Sequence, residues 1–286
     1  MNAHGSSLLD QFADAFTEAG LSELFRELRH YARESIRIEL TEAPTTTPVA
    51  TSRIGGHPDL PREMQWPRNP ATGDPMSFIA QFNCVELESV DVENQLPHTG
   101  MLYFFYDVEK FAWGFDPDDH TGSRVIYYDW PLDELLPAQA PEGAVTYPPH
   151  AVRFTSRVDI PEYTSQLITT ELDDEEYERY LDLLEKLNLV GDNKLLGHSN
   201  NIQNGMELQC ELVTNGIYCG SADAYRHPRL PELAPGRFTW QLLAQFVSDE
   251  EGDMQWGDEG TLYFWIRSED LANRRFENAW QILQCY

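Results

Sequence analysis

Apolar residues follow two rhythms along this chain. Over residues 7–40 they recur at helical spacing, as Leu8, Leu9, Phe12 and Phe16, then, past Gly20, as Leu21, Leu24, Phe25, Leu28 and Tyr31. This predicts two short amphipathic helices forming an N-terminal arm, residues 1–44, followed by an extended connector in TEAPTTTPVA. From 45 to 136 the rhythm changes to short aromatic and β-branched runs bounded by Gly, Pro and Asp, in SFIAQF, GMLYFFYD and SRVIYYDW. These predict strands. The proline-rich PAQAPEGAVTYPPH is the plainest boundary, and AVRFTSRVDI after it reads as an edge strand. TTELDDEEYERYLDLLEKLNLVG is the clearest helix: Thr170 is placed to cap it, acids crowd its first turn, and Tyr177, Tyr180, Leu181, Leu184 and Leu187 make its stripe before Gly191. Linker and acidic helix together occupy residues 137–193. From 194 to 286 strands are predicted again in MELQCELV, RFTWQLLAQF, GTLYFWI and AWQILQCY, with a helical turn or two in RSEDLANRRF.

Two of these strand pairs are written alike. FIAQF and LLAQF share Ala-Gln-Phe, GMLYFFY and GTLYFWI share Gly, Leu, Tyr and Phe in register, and a glycine-histidine step precedes each pair, Gly56-His57 and Gly197-His198. The fold class this implies is α+β. A mainly antiparallel sheet is built from two diverged tandem repeats, 45–136 and 194–286, packed as one domain, with N-terminal helices and one acidic helix between the repeats. Both faces of GMLYFFY and GTLYFWI are apolar, so they belong in mid-sheet. Alternation places Phe78, Ala80 and Phe82 on one face, with Gln81 beside Ile79 and Gln245 beside Leu243. A buried, unbonded amide costs about 1–3 kcal/mol, so these glutamines need partners, in a neighbouring strand or in a ligand held between the repeats.

GGHPDLP, QWP, FIAQFN, LPHTGMLYFFYD, VIYYD, the LLAQF to LYFWI segment and the terminal W-x-x-L-x-C together resemble the bacterial YwqG-like family, a domain of unknown function. The resemblance runs from about Thr51 to the end. It implies an α+β fold in which two related halves form one structure, and it brings no established catalytic residues. Where the second unit of that family carries Gly, an aromatic and Pro, this chain has Gly197, His198 and Ser199, which questions whether the second turn keeps the shape of the first.

Charge narrows the function further. With 48 acidic and 20 basic residues the net charge is −28, which repels nucleic acid and anionic membranes and attracts a basic protein partner, unless it serves solubility alone. The opening residues lack a signal-peptide pattern and no apolar run reaches the ~20 residues of a membrane span, so a cytoplasmic protein is expected. Cys84, Cys210, Cys219 and Cys285 fit no zinc spacing and read as reduced thiols. Phosphate-loop, dinucleotide, nucleophile-elbow and H-E-x-x-H motifs are absent. No cofactor or metal is therefore expected, and catalysis is not the favoured reading. WGFDPDDHTG reads as an Asp-rich turn that caps its own backbone. DEEGDMQWGDEG gathers Asp249, Glu250, Glu251, Asp253, Asp258 and Glu259 around Met254 and Trp256. An exposed tryptophan among acids suits a basic partner, by immunity-type neutralisation of a basic toxin for example, whereas Trp256 folded back on the sheet would not. The alternative is a small-molecule or metal-dependent enzyme in the groove between repeats, built from Gln81, Gln245, His57 and His198. Oligomeric state is left open by the sequence.

Overall fold

In RESIRIELTE, Ile36, Ile38 and Leu40 alternate with Arg37 and Glu39, a period of two, and the chain turns there from helix to strand. The helical arm is therefore shorter than its spacing predicts: α1 (Ala3–Glu18) and α2 (Ser22–Leu28) are followed directly by β1 (Arg33–Glu42). The computed structural model describes residues 3–44, 47–129, 131–165, 167–249 and 253–286, with side chains from Leu9 onward. The Leu8 side chain, Trp130, Glu250 and Glu251 lie outside the described residues.

Eleven further strands follow: β2 (Arg53–Ile54), β3 (Asp59–Pro61), β4 (Ser77–Asn83), β5 (Met101–Tyr106), β6 (Ser123–Tyr128), β7 (Leu135–Pro137), β8 (His150–Asp159), β9 (Asn193–Leu196), β10 (Trp240–Val247), β11 (Thr261–Arg267) and β12 (Trp280–Gln284). Of the twelve strands, ten, β1 among them, form one sheet in the order β12-β11-β10-β9-β1-β8-β2-β4-β5-β6, with antiparallel neighbours throughout, while β3 and β7 pair separately. AVRFTSRVDI is thus a central strand, not an edge. β1 and β8 pair over ten residues as the spine of the sheet, and each wing hangs from one of them.

The wings curl toward each other. Phe82 of β4 stacks on Phe246 of β10 at 6.3 Å, and Phe104 of β5 meets Phe264 of β11 at 5.1 Å. Four strands lie between β4 and β10, so a flat sheet would hold those rings roughly 24 Å apart at ~4.8 Å per strand. Only a nearly barrel-like sheet brings them into contact. The seam is narrowed by residues 111–115, where Trp113 O accepts from Leu283 N (3.1 Å). Gly114 passes β12 so closely that a Cβ there would stand 2.0 Å from Gln281 O, and its φ of +80° also favours glycine.

β4 and β10 depart from strict alternation in the same way. Each carries a bulge one residue before Ala-Gln-Phe, between Phe78 and Ala80 and between Leu242 and Ala244. Phe78 consequently packs outward with Tyr103 and Phe105, while Ala80 and Phe82 face the inner core, which corrects the expectation of one shared face. MELQCELV is helical, not a strand: α3 (Cys84–Leu87) is a single turn, and after α4 (Asp174–Lys186) comes α5 (Glu207–Thr214), which covers Leu242, Tyr263 and Trp265 on the outer face of the second wing. α6 (Leu230–Leu233) adds to that cover, and α7 (Ser268–Ala272) is the helical turn expected in RSEDLANRRF. α4 is capped by Asp173, whose carboxylate accepts from Glu176 N (2.8 Å), and not by Thr170. Thr170 instead donates to Glu27 (2.6 Å), tying the linker to the N-terminal arm. Tyr180, Leu183 and Leu184 bury against α1 and α2, leaving Tyr177 and Leu181 facing out.

Candidate functional site

The two glycine-histidine steps are turns of matching geometry. Gly55 and Gly56 have φ of +69° and +71°, Leu196 and Gly197 of +60° and +73°, so the second turn keeps the backbone of the first. Each is held by the Gln of Ala-Gln-Phe and the Tyr of Leu-Tyr-Phe. Gln81 Oε1 accepts from Asp59 N (2.7 Å) while its Nε2 donates to Asp59 Oδ2 (2.8 Å) and Thr51 O (2.9 Å). Gln245 Oε1 accepts from Asn200 N (3.0 Å) while its Nε2 donates to Asn200 Oδ1 (2.7 Å) and Asp192 O (2.7 Å). Tyr103 donates to Asp59 O and Tyr263 to Asn200 O. Both glutamines are fully buried and satisfied by the protein, which makes them holders of turns with no atom left for a ligand.

The groove expected between repeats does not assemble. β9 meets β1 at Ser35 and Leu196, whereas β2 meets β8 at His150, the partner of Glu42, so the two turns sit at opposite ends of the spine. Roughly 23 Å of strand separates Ser35 from Glu42 at ~3.3 Å per residue. His57 is exposed at one end and His198 is buried at the other. Met254 is 3% exposed, which corrects its expected exposure, and of the two readings left open for Trp256 the structure has the one folded back on the sheet, at 0% exposed. Trp256 folds inward, its backbone N–H donating to Ser248 Oγ (3.0 Å) and its ring meeting those of Tyr106 and Tyr147. Asp253 and Asp258 remain on the surface, and the Asp-rich turn caps itself, Asp116 accepting from Asp118 N (2.9 Å).

The second turn borders a roomy cleft between α4, residues 162–164, residues 200–203 and the loop 255–259. Glu162 stands in its wall, held by Asn200 Nδ2 (3.2 Å) on one oxygen and Asn201 N (2.9 Å) on the other. Burial outweighs those hydrogen bonds and pushes its carboxyl up to about 7. Asp258 and Glu259 stand exposed across the cleft, and Tyr177, Leu181 and Tyr286 give it apolar surface. Sequence reasoning passed over Glu162, because a lone glutamate after a proline has no spacing partner, and only folding brings Asn200 to it. On the far side of the turn, Asp159 binds both Lys194 Nζ (2.7 Å) and His198 N (3.0 Å), and burial lowers the His198 pKa to about 4, so its neutral ring donates from Nε2 to Tyr31 O (2.6 Å). Among the described residues, no three His, Cys, Asp or Glu side chains are gathered to hold a metal ion, and the four thiols are free.

Glu162 and His198 impose opposite pH dependences. Folded Glu162 keeps a proton that the unfolded chain releases near pH 4.5, so its contribution to stability is complete below 4.5 and lost as pH rises through about 7. Folded His198 resists protonation, so its contribution is complete above 6.5 and lost as pH falls toward 4. Between 4.5 and 6.5 they offset each other. Glu162→Gln removes one arm, and the variant is expected to lose stability on acidification over that range more steeply than the parent, read from urea midpoints at several pH values. A parallel profile for the two proteins counts against the Glu162 assignment.

Residues 52–285 match a family described as Domain of unknown function (DUF1963). No curated protein matches the chain. No helix among the described residues is long and apolar enough to cross a membrane.

Proposed function

The chain belongs to the DUF1963 family, whose description assigns no activity, and from that premise we propose that it is a non-enzymatic binding protein that takes a basic segment of a protein partner into the cleft beside Glu162. The observation that carries this reading is a carboxyl lifted by burial to about 7, facing a cleft whose opposite rim holds Asp258 and Glu259. A lysine or arginine entering there gives Glu162 the counter-charge it lacks, so its proton leaves as the cation arrives. Tyr177 and Tyr286 offer ring faces to the same cation. The net charge of −28 steers a basic partner toward the protein from a distance. Neutralisation of a basic toxin is the narrower form of this reading.

We also infer that the halves are diverged tandem repeats of a bacterial, YwqG-like cytoplasmic protein. Matching bulges, matching turn dihedrals and the paired Gln and Tyr clamps support the duplication.

The test is calorimetric titration with a lysine- and arginine-rich peptide near pH 6.5, at low and high salt and in two buffers of different ionisation enthalpy. Expected are binding weakened by salt, proton release on binding, and about tenfold weaker affinity for Glu162→Gln, equivalent to about 1.4 kcal/mol. Absence of binding at low salt, or equal affinity for Glu162→Gln, overturns the proposal.

A further inference from the structure

Behind the second turn lies a separate, narrow pocket of about 460 Å³ including its open mouth. Gly197 and His198 form one wall, Trp240, Leu242 and Trp265 the floor, and Glu207, Arg33, Arg237 and Phe238 the rim. Three of its buried polar atoms are unsatisfied. The Trp265 indole N–H, on a side chain only 3% exposed, has no hydrogen-bond partner, nor has Glu207 Oε2 or Arg237 Nε, all three buried atoms. The Arg33 side chain makes no hydrogen bond or ion pair among the described residues, Arg237 lies over the Phe238 ring, 4.5 Å away, and both charges act on Glu207 without a salt bridge to it. Arg53, Arg157 and Arg267 are paired with Asp59, Asp192 and Glu211, whereas part-buried Arg124 donates to the His120 and Ser123 carbonyls. In a chain with more than twice as many acids as bases, two guanidinium groups without a salt bridge among the described residues border this one pocket. Buried polar groups are nearly always hydrogen-bonded, so several unsatisfied atoms around one space imply a partner that fills it.

From these atoms we infer that the pocket is a binding site for a small apolar amino acid, its carboxylate taken by Arg33, Arg237 and the Trp265 N–H, its ammonium by Glu207, and its side chain by Trp240 and Leu242. Guanidinium groups match carboxylates in charge and in fork geometry. A carboxylate provides acceptors only, which suits three donor groups, and Glu207 Oε2 is the one unpartnered acceptor beside them. The aromatic and aliphatic floor excludes charged side chains. This site is independent of the cleft beside Glu162.

The experiment titrates the full chain, labelled at its indole nitrogens, with phenylalanine, leucine, phenylacetate and phenethylamine, following the Trp265 indole resonance, which is assigned by its absence in Trp265→Phe. Phenylalanine and leucine are expected to shift that resonance at millimolar concentration, phenylacetate less strongly, and phenethylamine not at all. Arg237→Gln, which removes the contact with Phe238 and a positive charge near Glu207, is expected to weaken phenylalanine binding about tenfold or more, as is Arg33→Gln, while both variants melt near the parent temperature. The inference is overturned if neither amino acid moves the Trp265 signal, if phenethylamine binds as well as phenylalanine, or if Arg237→Gln and Arg33→Gln, folded, bind phenylalanine with parental affinity.

Discussion

Trp256→Ala is expected to cost about 3–5 kcal/mol of folding stability, the range for truncating a buried Phe or Trp, and to lower the melting temperature by roughly 10 °C. Trp256 is the largest side chain with no measurable exposure among the described residues. Its ring lies 5.9 Å from that of Tyr106 on β5 of the first wing and 6.0 Å from that of Tyr147 in the segment before β8, while its own backbone lies between β10 and β11 of the second wing. The loop therefore works as a brace that holds the curled wings together, and truncation leaves a cavity where they meet. Trp256→Phe separates packing from polarity. It keeps a ring in place and deletes an indole N–H that has no partner, so the cost is expected to stay below about 1.5 kcal/mol. Asp258→Asn on the same loop touches an exposed acid and is expected to change stability by less than about 0.5 kcal/mol. Urea denaturation of the three variants decides the matter. If Trp256→Ala melts with the parent, the loop is not a brace.

The acids flanking Trp256 made it look like a surface residue, and this shows where local pattern stops informing. Pattern was sufficient where a strand is buried on both faces: GMLYFFY and GTLYFWI are the inner strands β5 and β11, as their all-apolar faces predict. It misled for AVRFTSRVDI, because the outer face of the spine meets solvent and a central strand with one wet face has the composition of an edge. It failed again at MELQCELV, where Met206, Cys210 and Val213 suit a helix as well as Met206, Leu208 and Cys210 suit a strand, and the need to cover Tyr263 and Trp265 decided in favour of the helix. Ala-Gln-Phe stands twice in the sequence, but the reason for its glutamine was not legible there. That reason is a hydrogen-bonded turn twenty or more residues upstream, which no local window contains. Glu162 lines one cavity, and Arg33, Glu207 and Arg237 meet at the other from three separate segments with no shared spacing, so both cavities beside the second turn become visible only in three dimensions.

Lys194→Met is expected to be as damaging as the loss of Trp256, at about 3–5 kcal/mol, because it strands a buried carboxylate. Lys194 and Asp159 are 4% and 3% exposed, and Nζ lies 2.7 Å from Oδ2. Burial by itself raises the Asp159 pKa, but Lys194, His198 and their hydrogen bonds bring it below the ordinary carboxylate value. Without the ammonium, Asp159 keeps only the His198 N–H and must either stay charged in an apolar place or take up a proton. The damage reaches the backbone, since Gly197 is packed so tightly here that an added Cβ would stand 2.6 Å from Ser35 Cβ and 2.7 Å from the Asp159 oxygen. Removing both partners is a different experiment. Lys194→Met with Asp159→Leu takes away the charge along with its counter-charge, and most of the lost stability is expected to return, because a buried pair contributes little beyond the apolar residues that could replace it. The Arg53–Asp59 pair at the first turn provides the comparison, with the carboxylate held inside its own turn by Ala50 N and Gln81 as well as by the arginine. There Arg53→Met leaves Asp59 two remaining donors and is expected to cost less than Lys194→Met, by about 1 kcal/mol for the additional hydrogen bond retained. Equal losses in the two variants would mean that the charge pairs, and not the hydrogen bonds around them, set the stability of both turns.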